Sequence, residues 1–171
     1  MDKTTAKSRL GVMLLDFALP MMVVSYPLDT LGYIEFLKPL HLPEISFYVL
    51  FFIFLNKDFY NGRSIGKRAM GFQVLSNVNG EPASPLQCLI RNMTIIIWPI
   101  EALFSAFSRK RRIGDFLART VLVRRDKVRA RTILTDIKGT KLTTQFILTI
   151  VIALAYIVLV EFGLSELIPT L

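Results

Sequence analysis

A few ionisable residues sit where the chain is otherwise apolar, and these residues carry whatever chemistry is available. Asp16 is the one charged residue between Leu10 and Leu28, and Arg9 stands just before that run. A separation of seven residues is nearly two helical turns, so the two side chains share a helix face about 10 Å apart along the axis. An arginine at the headgroup boundary can snorkel to water. A carboxylate two turns deeper cannot, and it costs on the order of 3 kcal/mol near the bilayer centre unless it is partnered or protonated. Asp16 therefore requires a protein-facing partner, with Arg91, Arg119 or another basic residue from the cytoplasmic side as candidates. Arg91 and Glu101 are further charges within an apolar stretch, and Asp115 lies inside a basic run, where an acid reads as a structural staple. Arg9, Asp16, Arg91, Glu101 and Asp115 form the candidate network. Two kinds of chemistry are open to it. One is charge pairing that holds an awkward membrane segment in place; the other is uptake and release of a proton or cation at Asp16 or Glu101.

Other chemistry is scarce. One cysteine, Cys88, cannot form an internal disulfide, and with one histidine, His41, no thiolate or imidazole metal cluster of the usual spacing can be built. No nucleophile with a matching base and no cofactor fingerprint appears, so neither enzymatic activity nor a cofactor is expected. Gly62-x-x-x-Gly66-Lys67 departs from a phosphate-binding loop by having three intervening residues instead of four, and Arg68 stands where Ser or Thr would hold magnesium. Its glycines read as turning and close-packing positions. Arg109, Lys110, Arg111 and Arg112 abut Phe104, Phe107 and Phe116, which suits an anionic inner leaflet at about 1 kcal/mol per basic residue. The basic stretch from Arg124 to Lys141 lacks interleaved aromatics. It reads as a leaflet-bound connector containing a short interfacial helix that ends near Gly139, not as a nucleic-acid surface.

The elements that must position these residues follow from how apolar residues are distributed. The 171 residues are 53% hydrophobic, with mean hydropathy +0.50 and a formal charge of +8; a soluble domain averages about 45–50% apolar. Four hydrophobic segments are expected: Leu10–Tyr33, broken or kinked near Pro20 and Pro27; His41–Tyr60; Leu86–Phe107, interrupted by Arg91, Asn92, Pro99 and Glu101; and Leu142–Val160. The N-terminal run carries Asp16 and lacks a small-x-small cleavage site, so it reads as a retained signal-anchor helix. Phe72–Ser76 followed by an Asn-Gly turn, and the run Thr120–Val123, read as short strands that pair outside the bilayer. The expected fold is an all-α polytopic membrane protein with about three transmembrane helices, one broken or re-entrant segment and a small cytoplasmic sheet.

Charge sets the expected topology. From Arg109 to Lys141 there are 12 Lys+Arg and 3 Asp+Glu, so this loop holds the whole positive balance of the chain. The positive-inside rule places the N-terminus, Lys57–Pro85 and Arg109–Lys141 in the cytoplasm of a cell whose inner membrane the chain crosses. A plain crossing by Leu86–Phe107 would put two basic loops on opposite faces, whereas a hairpin keeps both inside and lets the strands meet.

Arg9 and Asp16, the stretch Gly62-Arg63-Ser64-Ile65-Gly66-Lys67-Arg68-Ala69-Met70-Gly71-Phe72-Gln73-Val74 and the stretch Arg112-Ile113-Gly114-Asp115-Phe116-Leu117-Ala118-Arg119-Thr120-Val121-Leu122-Val123 resemble the RDD family. That family takes its name from one arginine and two aspartates, which the resemblance places at Arg9, Asp16 and Asp115. The motifs lie between Ser8 and Val123, so residues 8–123 are expected to form the membrane domain, 124–141 a connector and 142–163 an additional transmembrane helix. Arg119 stands where the family usually has a small residue, often glycine. The resemblance implies a small polytopic membrane protein of transport-related role, with cation/proton antiport proposed for some members. Three helices cannot enclose a pathway in one chain, so a homo-oligomer is expected if it transports. The different-class expectation is an accessory or assembly subunit docked on a larger membrane complex.

Overall fold

A computed structural model of the chain describes residues 6–97, 100, 112–139 and 143–167, and side chains within 11–163 of that set. The first helix is continuous but not uniform. Helix α1 (Ala6–Pro20) passes through a π-helical turn at Met21–Ser25 into α2 (Tyr26–Gly32). Pro20 and Pro27 each lack an N–H. The wider turn between them lets the helix continue past the missing donors, so the chain is not broken at either proline. Helix α3 (Leu42–Asn56) returns alongside, with Pro43 in its first turn and the Asn56 amide donating back to the Phe52 carbonyl. The expected segment His41–Tyr60 is thus shorter as a helix. Phe17 stacks on Phe54 with ring centroids 4.4 Å apart, joining α1 to α3.

Beyond α3 lies a small folded body. Helix α4 (Ile65–Met70) leads directly into strand β1 (Phe72–Ser76), and Ser84 caps α5 (Pro85–Met93) through a reciprocal bond with Gln87. A 3-10 turn continues α5 to Ile97. The chain then returns as α6 (Ile113–Leu117), β2 (Thr120–Arg124), α7 (Thr132–Gly139) and α8 (Thr144–Leu167). The two strands pair, as expected, and do so antiparallel, with Phe72 opposite Arg124 and Ser76 opposite Thr120. The other edge of β1 is covered, since the Val74 N–H donates to the Gly62 carbonyl and the Ala83 N–H to the Val74 carbonyl. That covering explains how so small a sheet persists.

Helix α5 connects two apolar clusters. Leu89 packs with Leu55 of α3 and with Ala153 and Ile157 of α8, while Cys88 packs with Val74 and Ala83 beneath the sheet. Gly114 of α6 lies so close to α5 that a Cβ there would sit 2.1 Å from the Arg91 carbonyl oxygen. The chain between β1 and β2 therefore begins and ends at one place. Gly11–Gly32 and Thr144–Gly163, of 22 and 20 residues, are long and apolar enough to cross a membrane.

Strand pairing makes a direct prediction about sidedness. Val78 and Arg125 are exposed near opposite ends of the sheet, so cysteines introduced at either position should react with an impermeant maleimide from the same face of a sealed vesicle. Buried Cys88 stays silent as background. Labelling from opposite faces is incompatible with the pairing.

Candidate functional site

The charged residues assemble into one buried chain of alternating sign. Asp16 on α1 accepts a hydrogen bond from the Ser64 hydroxyl at 2.6 Å and from the Gly66 N–H at 2.9 Å, and Lys67 Nζ stands 3.6 Å away. Lys67 Nζ donates to Asp58 Oδ1 at 2.6 Å. The other oxygen of Asp58 receives Arg91 Nη1 at 3.1 Å, and Arg91 Nε is bonded to Asp115. Asp58 is fully buried, and Asp16, Lys67, Arg91 and Asp115 are each at most 5% exposed. The order is Asp16, Lys67, Asp58, Arg91, Asp115: three carboxylates and two cations from five separate parts of the chain.

Local sequence explains each placement. Ser64 is the N-cap of α4, accepting from the Lys67 N–H while its own N–H donates to Asp58. Gly66 is required for contact, because a Cβ at this position would lie 2.5 Å from Asp16 Oδ1 and 3.0 Å from the Val12 carbonyl. Gly62, at φ +63°, turns the chain against β1, where a Cβ would lie 2.4 Å from the Val74 carbonyl oxygen. At the other end Asp115 accepts from the Arg112 N–H, closing the first turn of α6, and from the Thr120 hydroxyl at the start of β2.

The electrostatics follow the pairing. Burial alone would raise the Asp58 carboxyl, but the charges of Lys67, Arg91 and Lys57 outweigh it and hold the group far below the usual carboxylate range. Burial likewise opposes ionisation of Asp115, and the adjacent Arg91 guanidinium together with the Arg112 N–H brings it below its ordinary value.

The sequence expectations are met in part. Asp16, Arg91 and Asp115 do belong to one network, but Asp16 is not paired with Arg91 or Arg119. Lys67 takes that place, Arg91 lies between Asp58 and Asp115, and Arg119 is exposed on the turn before β2. Arg119 adopts φ +51°, a left-handed conformation that accounts for the small residue usual in the family. Asp58 and Lys67, the centre of the chain, were not among the expected site residues. The Arg9 side chain, Glu101, Arg109, Lys110 and Arg111 lie outside the described residues. Arg112 serves α6 through its backbone in addition to any role at a lipid surface. Among the described residues no group of three or more His, Cys, Asp or Glu side chains is placed to hold a metal ion.

Two hollows are apolar and away from this chain of charge. One of about 210 Å³ lies between α3 and α8, beside the hydrogen bond from the Tyr48 hydroxyl to Glu161, and one of about 340 Å³ is lined by Ile90, Met93, Ile97 and Tyr156.

Two helices long and apolar enough to cross a membrane, joined to an ion-paired body, suit a helical membrane protein. The RDD family model matches residues 4–160, and the chain belongs to the RDD family. The match runs past the motif-bearing stretch to take in the connector and most of α8. Neither a curated protein nor a solved structure matches this chain.

Removing Asp58 should be the most damaging single change in the chain. Asp58→Asn leaves Lys67 and Arg91 buried without their shared counter-charge, and a loss of about 3–5 kcal/mol is expected in equilibrium unfolding in detergent. A loss under about 1 kcal/mol would refute the central role. The pH dependence has a definite sign. Asp58 and Asp115 are depressed in the folded state, so their stabilisation is full above about pH 5 and is lost as pH falls below about 4 toward the folded-state values. Unfolding midpoints measured from pH 7 to pH 3 should stay flat and then drop.

Proposed function

We propose that this protein is a multi-pass protein of the inner cell membrane with a transport-related role, exchanging a cation for a proton at Asp16. The observation that carries the reading is the asymmetry of the charge chain. Lys67 is 2.6 Å from Asp58 but 3.6 Å from Asp16, and Asp16 is held at closest range by neutral donors, the Ser64 hydroxyl and the Gly66 N–H. Loss of charge at Asp16 leaves no cation without an ion pair, since Lys67 keeps Asp58. Loss of charge at Asp58 would leave Lys67 with only the longer 3.6 Å pairing to Asp16 and Arg91 with Asp115 alone, weakening two ion pairs at once. Asp16 is therefore the member that can change its occupancy while the body stays assembled, and it sits on the helix that enters the membrane.

In the topology that goes with this reading, the N-terminus is cytoplasmic, α1 and α2 cross outward, and α3 crosses back. At about 1.5 Å per residue the 15 residues of α3 span about 22 Å, so the bilayer thins or flanking residues snorkel there. The body around β1 and β2 lies in the cytoplasm and α8 crosses outward, while the re-entrant part expected of Leu86–Phe107 falls on residues 98–99 and 101–107, outside the described residues. The basic run Arg109–Arg112 meets the anionic inner leaflet. Three crossings cannot surround a pathway, and the exposed apolar side chains of α1 and α8, such as Leu14, Val151 and Val158, leave room for other copies. A homo-oligomer follows from this reading.

The test is flux in proteoliposomes. Wild-type protein should dissipate an imposed pH gradient on addition of a monovalent cation. Asp16→Asn should lower that rate at least tenfold with an unchanged unfolding midpoint, and Asp16→Glu should retain measurable exchange. Native mass measurement in mild detergent should give an integral multiple of the 19.5 kDa chain. Inert liposomes and a stoichiometric partner of different sequence would replace this reading with the accessory-subunit one, which the same exposed helix faces would serve.

A further inference from the structure

Helix α7 is fastened to the body largely through one side chain of α4. Arg68, 2% exposed, donates to the Thr132 hydroxyl at 2.7 Å and to the Asp136 carboxylate at 2.5 Å, while the Val128 N–H donates back to the Arg68 carbonyl. Thr132, Ile133 and Asp136 are the half-buried side of α7. The opposite side is apolar and open. Leu134 and Ile137, three residues apart and so neighbours on one helix face, are 59% and 43% exposed, and exposed Lys138 lies beside them. Arg125, Lys127, Arg129 and Arg131 are exposed in the segment leading into the helix, where Asp126 is the one acidic residue.

The occupant of this face can be argued from charge and from chain connectivity. Residues 140–143 alone separate Gly139 from Thr144, so at about 3.6 Å per residue the end of α7 lies within about 18 Å of the start of the bilayer-length helix α8. An exposed apolar pair flanked by cations, tethered that close to a bilayer, has the composition of an interfacial helix on an anionic leaflet. A protein partner would have to displace lipid that is already within reach.

We propose that α7 is a sensor of anionic lipid for the Asp16 site: Leu134 and Ile137 insert at the inner leaflet, Arg129, Arg131 and Lys138 meet phosphate headgroups, and Arg68 transmits this seating to α4. The transmission is short. Arg68 is on the same six-residue helix whose Ser64 cap and Gly66 N–H hold Asp16. The inference rests on that geometry and is independent of whether the protein exchanges cations.

The experiment uses the full chain in nanodiscs of phosphatidylcholine, with or without phosphatidylglycerol, carrying an environment-sensitive dye on Thr135→Cys. Emission should shift to the blue with phosphatidylglycerol. The shift should be lost in the variant combining Arg129→Gln, Arg131→Gln and Lys138→Gln, and in the one combining Leu134→Asn with Ile137→Asn. These are exposed positions, so unfolding midpoints should be unchanged. Hydrogen exchange at the Gly66 and Lys67 amides should slow at least threefold in the same discs, and Asp136→Ala should abolish that slowing while leaving the dye shift. Identical emission in both discs overturns the proposal, as does a dye shift with unchanged amide exchange. Neither readout requires flux, so failure here and failure of the transport reading are told apart.

Discussion

The Asp58 carboxylate is the point on which the body depends. It lies directly after α3, at zero exposure, and each of its oxygens is committed to a cation from a different part of the chain. A buried carboxylate in this position is tolerable only while both cations are present, and without it each cation loses one of its two carboxylate partners. Folding of α3, α4 and α5 is therefore mutually conditional. The apolar clusters give the body most of its cohesion, but Leu, Val and Ala contacts accept many arrangements. Directional ion pairs at both carboxylate oxygens accept few.

A second consequence concerns the motif Gly62-x-x-x-Gly66-Lys67. Its resemblance to a phosphate-binding loop is not empty, although the ligand is internal. A glycine that permits close approach, a backbone N–H at the start of a helix, a capping hydroxyl and a nearby lysine together form an anion cradle. Here the anion is the Asp16 carboxylate, delivered by the first membrane helix. Spacing that is wrong for a nucleotide is right for a carboxylate, which is smaller and needs two donors at 2.6 and 2.9 Å, not a wrapped loop.

Much of the fold was legible in the sequence, for identifiable reasons. Bilayer-length apolar runs and β-branched pairs are local signals, so α1, α8, β1 and β2 could be placed from composition and period. That the two strands pair was legible too, because a lone strand leaves its backbone groups unpaired, whereas the antiparallel direction came from the structure. Asp16, Arg91 and Asp115 stood out because charge amid apolar neighbours is conspicuous. Asp58 and Lys67 did not, because Lys57-Asp58 and Gly66-Lys67-Arg68 look like solvated loop residues beside other polar ones. What hides them from solvent is tertiary: α1 and α5 close over them. The available signal was indirect, since a carboxylate in a membrane helix demands a cation near the same boundary, and the stretch after α3 is rich in lysine and arginine.

The ends of the chain of charge differ in a way that bears on any function. Asp115 is bound to a guanidinium, a backbone N–H and a hydroxyl, and through them ties α5, α6 and β2 together. Asp16 has its closest partners on α4 alone. The sheet end is thus braced by three elements, while the membrane end is held by one short helix. That helix continues through Gly71 into β1 and through Arg68 to α7. A displacement of Asp16 along its own axis must therefore move α4 or break from it. If α4 moves, the motion reaches Lys67 and Asp58 on one side and Arg68 and Asp136 on the other before it meets anything rigid. The same six residues that hold the Asp16 carboxylate are thereby the connection between the first apolar helix and the basic connector, whatever passes along it.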